Sequence, residues 1–469
     1  MSAVLLVAAC ATTETPEPPG VIATLSSDRL EGGQHAVAPS SFIFQDAWWV
    51  EIGGAPLDRL VAELQAKNLD VRAAVDRISQ AEAAARSVGA VRLPQVSGEI
   101  TAGGGRGPNA VGGFDGSESY GVSVAASWDT DIFGGRRAAA RSAALSAAAA
   151  ELNAQAVVQS AIAQLAEAYV GAWALGEQIR IAEALAQSFE DTAALTNQRY
   201  RTGSQTAGAL DTLIARQNEV AARSALPELE ALRAVQLQRI DLLLGRPPGS
   251  GATVPSVSPA AGALPPTPTS APADYLLRRP DVAATALAFQ AALADLDAAE
   301  AARRPSLALT GVIALQNSDI GDLFDADRLI TDLAAGLTAP IFQGGRLKAE
   351  AERAAARASE LANAYGQSAL RAASDLERAL ALSAAYDQEI ALREDSVAAA
   401  ALSDQIASER YASGQASLLA VLETRRALNA AQRDLISARE AALNARIDLA
   451  LAAGGGWGAP QFDDQGSPT

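Results

Sequence analysis

Few residues in this chain could do chemistry. It holds one cysteine, one histidine and one methionine. A single cysteine excludes a disulfide framework and a Cys/His zinc site. A single histidine excludes any catalytic apparatus that needs two. The paired carboxylates Asp463-Asp464 sit in a tail rich in glycine and proline and read as solvated groups. No catalytic residue, no resident metal and no cofactor is expected, and no enzyme. The scarcity of His, Met and Cys gives no support for soft-metal handling, while hard-metal carboxylate sites stay open. The 37 Lys+Arg against 54 Asp+Glu leave a net charge of −17, which argues against a nucleic-acid backbone as partner. Hydrophobic residues make up 49% of the chain but aromatics only 4%. No apolar stretch long enough for a membrane helix is free of charged or strongly polar residues, so none is expected.

The lone cysteine has a context. Residues 1–10 read MSAVLLVAAC, an apolar run from Ala3 to Ala9 ending at Cys10. The run looks like a signal-peptide core, and Val7-Ala8-Ala9-Cys10 has the form of a lipobox. In bacterial lipoproteins such a cysteine becomes the acylated first residue, so Cys10 is the expected lipid anchor. The following Thr12, Thr13, Glu14, Pro16, Glu17, Pro18 and Pro19 suit a tether. The segment lacks a Lys/Arg n-region, and a plain cleaved signal is the alternative reading.

Beyond residue 55 the chain repeats itself. Pro94 follows Arg92-Leu93, and Pro305 follows Arg303-Arg304. Ile132-Phe133-Gly134-Gly135-Arg136 is matched by Ile341-Phe342-Gln343-Gly344-Gly345-Arg346. Arg199-Tyr200-x-x-Gly203 is matched by Arg410-Tyr411-x-x-Gly414. The separation from Pro94 to Tyr200 equals that from Pro305 to Tyr411, so three landmarks recur in order at a near-constant offset.

After each proline landmark the hydrophobic period becomes two. Tyr120, Val122, Val124, Ala126 and Trp128 alternate with Gly121, Ser123, Ala125, Ser127 and Asp129. Val96, Ile100 and Ala102 form a second such face, and Leu307, Leu309, Ile313 and Leu315 a third. Leu333, Ala335, Leu337, Ala339 and Ile341 form the fourth. The polar segments from Gly103 to Ser119 and from Asn317 to Arg328 are expected to be loops. Runs of about 9–11 residues are the length of a tilted membrane strand. Four strands cannot close a membrane barrel, since bacterial barrels start at about eight. Open edges in lipid would leave backbone groups unpaired at several kcal/mol each. Either the strands form a soluble sheet or several chains share one barrel.

The segments that follow are long. No proline occurs between Pro108 and Pro227 or between Pro340 and Pro460. Arg136 to Tyr200 and Arg346 to Tyr411 are rich in Ala, Gln, Glu, Arg and Leu, and each would make a helix of ~100 Å at 1.5 Å per residue. In the second, Leu361, Tyr365, Leu376, Leu380, Ile390 and Val397 fall in one stripe. Gly203 and Gly414 break the runs, and returning helices are expected from Ala207 to Gly245 and from Ser417 to Ala453. Alone, such helices would suit a coiled-coil scaffold. Joined in one repeat to membrane-length strands, they suggest a tube.

The organisation expected is a signal peptide with lipobox over 1–10, then a tether and equatorial segment over 11–54. The first repeat spans 55–250, with strands 95–103 and 119–129 and a turn at 203. A linker rich in Pro, Ser, Gly and Ala covers 251–273. The second repeat spans 274–453, with strands 306–316 and 330–341 and a turn at 414. Residues 454–469 form a tail. The fold class is mainly α with a small β part and an internal two-fold sequence repeat.

These segments together resemble the TolC-type outer-membrane factors, in the lipoprotein branch that serves resistance-nodulation-division efflux systems. The matching stretches are Ser127 to Arg136 (SWDTDIFGGR), Leu276 to Val282 (LLRRPDV), Ala335 to Arg346 (AGLTAPIFQGGR), Gly454 to Trp457 (GGGW) and the two Arg-Tyr-x-x-Gly turns. The resemblance runs from Trp48 to Trp457. It implies a homotrimer in which four strands per chain form one outer-membrane β-barrel, continued across the periplasm by an α-helical barrel. It implies a passive exit duct for drugs or other small molecules, with a periplasmic adaptor, an inner-membrane pump and outer-membrane lipid as partners. It places the adaptor-contacting tips at Arg199, Tyr200 and Gly203 in one turn and at Arg410, Tyr411 and Gly414 in the other. It places a gate ring at Leu419 and Glu423. The family usually carries Asp where this chain has Glu423, and Ala420 stands where relatives can carry a second acid. Tyr411 would be a latch, with Asp211 as the nearest candidate partner. Three like charges near one axis repel, so closure needs opposing contacts and opening needs a partner that prefers the open state. An acidic pore would disfavour anions modestly. The exit duct of a type I protein secretion system, a metal efflux duct and a non-transport periplasmic scaffold are the alternatives. A scaffold would be soluble without detergent.

Overall fold

The computed structural model describes residues 15–20, 22, 29–31, 47–108, 114–202, 208–254, 270–272, 276–277 and 279–454. Cys10, Gly203 and Trp457 lie outside the described residues. Helices are α1 (Trp48–Lys67), α2 (Leu69–Ala90), α3 (Gly135–Arg201), α4 (Ala209–Ser224), α5 (Leu226–Leu243), α6 (Pro280–Ala301), α7 (Arg346–Ala412) and α8 (Leu418–Ala452). Strands are β1 (Arg29–Glu31), β2 (Gln95–Pro108), β3 (Phe114–Asp129), β4 (Ser270–Pro272), β5 (Ser306–Asn317) and β6 (Leu329–Thr338). The chain divides into two compact units. Unit 1 takes residues 1–20, 76–152 and 283–367, and unit 2 takes 21–75, 153–282 and 368–469. Each unit draws on both copies of the repeat.

Unit 1 is organised by one antiparallel sheet in the order β2-β3-β5-β6. The register is continuous: Ile100 faces Val122, Val122 faces Leu315, and Leu315 faces Leu329. Directly opposed residues share a side of the sheet. The four alternating apolar sets therefore merge into one face that carries Val96, Val124, Trp128, Leu309, Leu333 and Leu337. Ser127, Thr310 and Ala334 are aligned on the other, mainly polar face. The apolar face is bare in the chain: Ile100 is 81% exposed and Leu333 87%. Among the described residues β2 and β6 each have one partner strand, so one side of each carries backbone donors and acceptors with no partner among those residues.

Three strand boundaries differ clearly from those expected. β2 and β3 run on to Pro108 and from Phe114, so most of the segment from Gly103 to Ser119 is ladder rather than loop. A hairpin extends through backbone pairing, which needs no apolar side chain. β6 ends at Thr338, short of the expected 341, because Pro340 brings no N–H to a ladder and restrains Ala339 before it.

Unit 2 is helical. Its largest core joins Leu57, Val61 and Leu64 of α1 to Leu165, Tyr169 and Trp173 of α3, and to Ile447 of α8. Full burial of one such aliphatic side chain stabilises by about 1.5–3 kcal/mol. Ala166, Ala168, Ala172 and Ala174 are completely buried, so small side chains let α3 approach its neighbours closely. In the LLRRPDV motif Leu276 and Val282 are fully buried, and Arg279 pairs with Asp281 at 2.8 Å and with Asp375 on α7 at 3.8 Å.

Polar residues punctuate the helices. The backbone at Asn68 turns extended between α1 and α2; its side chain accepts from Val71 N at 3.0 Å and donates to Leu243 O at 2.7 Å. Gly54, at φ +59°, kinks α1. The first returning helix is two helices, α4 and α5, meeting at Ala225, because Pro227 lacks an N–H and fits a helix start better than its interior. Among the described residues one helix, α6, is long and apolar enough to cross a membrane by length and composition. Sequence reading passed over it because Asp281, Asp295, Asp297 and Glu300 lie within it. Val282, Phe289 and Leu296, spaced seven apart on one face of it, are buried in the protein.

Gly245 ends α5 at φ +67°, and a Cβ there would lie 2.7 Å from the Lys67 carbonyl oxygen. Gly249, at φ +85°, has open space around its Cβ position. The left-handed backbone costs a non-glycine residue about 1–2 kcal/mol at either site, and only Gly245 adds a collision with backbone. Gly245→Ala should therefore lower the melting temperature of the helical circular-dichroism signal more than Gly249→Ala; equal shifts would deny the close approach.

The neighbouring Arg246 bonds Glu63 of α1 through both carboxylate oxygens and holds that carboxyl below its usual pKa. A folded-state pKa below the unfolded one adds stability above about pH 4.3 that is lost as pH falls through the lowered value. Glu63→Gln should flatten the acid limb of the melting-temperature profile and leave the neutral region with a constant deficit; an unchanged acid limb would contradict the pairing.

Candidate gate at the helix turns

The second turn is built by glycine. Gly414 adopts φ +76° just past the end of α7. Its N–H donates to Tyr411 O at 3.1 Å, and Gln415 N donates to Arg410 O at 2.7 Å, the paired bonds that finish a helix through a left-handed residue. α8 then starts at Ser417, whose hydroxyl accepts from Ala420 N at 3.4 Å. Leu418, Val421 and Leu422 turn inward and join Phe189, Ala215 and Tyr411 in a small apolar cluster. Leu419 and Glu423, one helical turn apart, stand together on the exposed side of α8, with Leu419 57% exposed.

Tyr411 is buried. Its hydroxyl lies 3.3 Å from Thr196 Oγ1 on α3. The Arg199 guanidinium sits 4.9 Å from the ring centroid and donates to Tyr411 O at 3.4 Å and Ala412 O at 3.3 Å. A cation at the carbonyl end of α7 is favoured by the helix dipole as well as by the bonds. Arg199 and Tyr411, read separately from the two repeat copies, thus form one contact. Tyr200 and Arg410 point to solvent.

Asp211 has a different partner from the one expected. Its carboxylate accepts from Gly208 N at 2.8 Å and caps α4. Among the described residues no bond joins it to Tyr411, because an acid at the third position of a helix reaches back to the capping amide first.

A second tie escaped the sequence reading. Arg425 of α8 donates to Ser188 O at 2.9 Å and to Thr192 Oγ1 on α3, and lies 3.6 Å from Asp404 on α7. Asp404 also accepts from Thr424 Oγ1 at 3.2 Å. One guanidinium therefore spans three helices. Beside it, Arg426 donates to Asn218 of α4. Thr192 and Thr196 stand four apart on α3, so a polar stripe on an otherwise apolar helix face was the available signal. Nothing in sequence tied it to Arg425. Among the described residues no group of three or more His, Cys, Asp or Glu could hold a metal ion.

Residues 60–246 and 271–455 match the outer membrane efflux protein family, with one segment on each copy of the repeat. The chain is 34% identical to the pyoverdine export outer membrane protein OpmQ of Pseudomonas aeruginosa, over 99% of this chain and 97% of that protein. It is 26% identical to the probable outer membrane lipoprotein SilC of Salmonella typhimurium, over 97% and 98%. Its fold superposes on the transmembrane channel CusC with a TM-score of 0.79 and 27% identity, over 92% of this chain and 100% of that one. The twofold repeat of strand pair and long helix is that of the outer membrane efflux protein family, and the chain is a TolC-type outer-membrane factor of that family.

Proposed function

We propose that three copies of this chain close into one outer-membrane channel and serve as the exit duct of a tripartite efflux system, with a periplasmic adaptor and an inner-membrane pump. The observation that carries the reading is the four-stranded sheet with an exposed apolar face and two open edges. In lipid each unpaired backbone group costs several kcal/mol, and pairing β2 of one copy with β6 of the next removes both edges. The polar face then lines the duct. Acylation of Cys10 adds a lipid anchor, a reading supported by the lipoprotein name of the SilC relative.

In this reading the turns are the periplasmic entrance. Leu419 and Glu423 project toward the axis as the narrowing ring. Tyr411, with Thr196 and Arg199, and Arg425, with Thr192 and Asp404, hold α7 and α8 against α3 and so favour closure. Asp211 acts as a helix cap rather than as the partner of Tyr411. Arg199 is shared between latch and tip, while Tyr200, Gly203, Arg410 and Gly414 form the surface offered to the adaptor. No bond in the cargo is made or broken. The duct supplies a path, and the adaptor supplies the preference for the open state.

Reconstitution of the purified protein in a planar bilayer tests the duct: stepwise current is expected, and none from a folded oligomer would reject it. Arg425→Met removes a set of charge-assisted bonds worth about 1.5–3 kcal/mol, so the open fraction should rise about tenfold or more. An unchanged open fraction would remove Arg425 from closure. Glu423→Gln should lower the preference for cations over anions without changing the oligomer.

A further inference from the structure

Unit 1 contains a cavity of about 460 Å³ beyond the ends of β3 and β6 and the start of β5. Asp129, Ser306 and Thr338 mark its strand side. By register Asp129 faces Ala308, and Ser306 faces Thr338, which puts all three on the polar face of the sheet. Arg136, Arg304 and Arg346 supply three guanidinium groups to the same wall, and Ile132, Phe133 and Pro340 supply apolar surface.

The charges do not cancel within the wall. Asp129 is engaged by Arg136 at 3.1 Å. Asp131, the other carboxylate of the lining, caps α3 by accepting from Arg136 N at 2.8 Å and Arg137 N at 2.9 Å, and it also accepts from Arg137 Nε at 3.2 Å. Both acids are thus occupied. Among the described residues Arg346 pairs only along its own helix, with Glu350 at 2.8 Å, and both side chains are well exposed, so that pair holds it weakly. Arg304 makes no ion pair among the described residues; its guanidinium rests 5.5 Å from the Phe133 ring centroid. In a chain with a net charge of −17, this wall keeps an unspent guanidinium beside two hydroxyls and an aromatic ring.

A guanidinium fork selects a planar or tetrahedral anion, and the ring and proline beside it suit an apolar body. We propose that this cavity binds an amphipathic organic anion, its carboxylate on Arg304 and Arg346 and its apolar part against Phe133 and Pro340. This rests on the reading of the polar face as the duct wall and gives one class of cargo, or of blocker, that the duct retains on its way out. It also places a local anion site inside a pore whose entrance ring is acidic.

Isothermal titration of the purified full-length protein in detergent tests the site without any need for current, so a non-conducting channel and an empty cavity are separate results. The probes are 1-naphthoate, the neutral 1-naphthalenemethanol and inorganic phosphate. Saturable naphthoate binding is expected, with the alcohol and phosphate each about tenfold weaker or more, since each lacks one half of the recognition. Arg304→Gln should weaken naphthoate by a similar factor, Arg346→Gln should weaken it less, and the exposed Lys348→Gln should leave it unchanged. Four results would overturn the proposal: no naphthoate binding, equal binding of acid and alcohol, insensitivity to both arginine substitutions, or phosphate binding as tight as naphthoate. The last would mark a plain phosphate or lipid-headgroup site.

Discussion

The controlling constraint is the hydrogen-bonding demand of backbone at a sheet edge. β2 and β6 each leave a row of N–H and C=O groups without partners, and the face between them is apolar. Water would satisfy the edges but not the face; lipid would satisfy the face but not the edges. Only another sheet edge in the same lipid layer satisfies both. The closure proposed for three copies follows from that conflict, and each half of the repeat supplies one strand pair to the sheet.

The helices answer a different demand. In folded proteins most helical stability comes from packing one face against neighbours, and α3 and α7 have long faces to cover. They hold by contact along their lengths, and completely buried alanines keep those contacts close. Side-chain bonds add direction to this packing: Arg393–Asp434, Arg439–Glu394 and Arg446–Asp387 join α7 to α8 along their length, and near the turns Tyr411, Arg199 and Arg425 tie α7 and α8 to α3. An apolar cluster as small as Phe189, Leu418, Val421 and Leu422 cannot by itself define one arrangement of three helices.

Much of the local geometry at the second turn was legible because it rests on periodicity and on chain-breaking residues. Gly414 had to end a helix, and Leu419 and Glu423 had to share a helix face by their spacing. Side-chain partnerships were less legible. Asp211 stood as the nearest candidate partner of Tyr411, yet its carboxylate accepts from the Gly208 N–H at the start of its own helix. Arg425 looked like one more surface arginine on an alanine-rich helix, and its three-helix reach depends on how α3, α7 and α8 are set side by side. The cavity at Arg304 was equally silent, since its wall is assembled from three segments, around Arg136, Arg304 and Arg346, that are remote in sequence.

The sequence by itself determined the repeat, the strands with their apolar sides and the long helices. These are set by spacing along the chain: a period of two, a period of 3.6, and the positions of proline and glycine. The tertiary structure decided the register that fuses four apolar sets into one face. It also decided which polar groups meet. Hydrogen bonds and ion pairs act over about 3 Å between groups remote in sequence, and a linear pattern does not carry distances of that kind until the chain has folded.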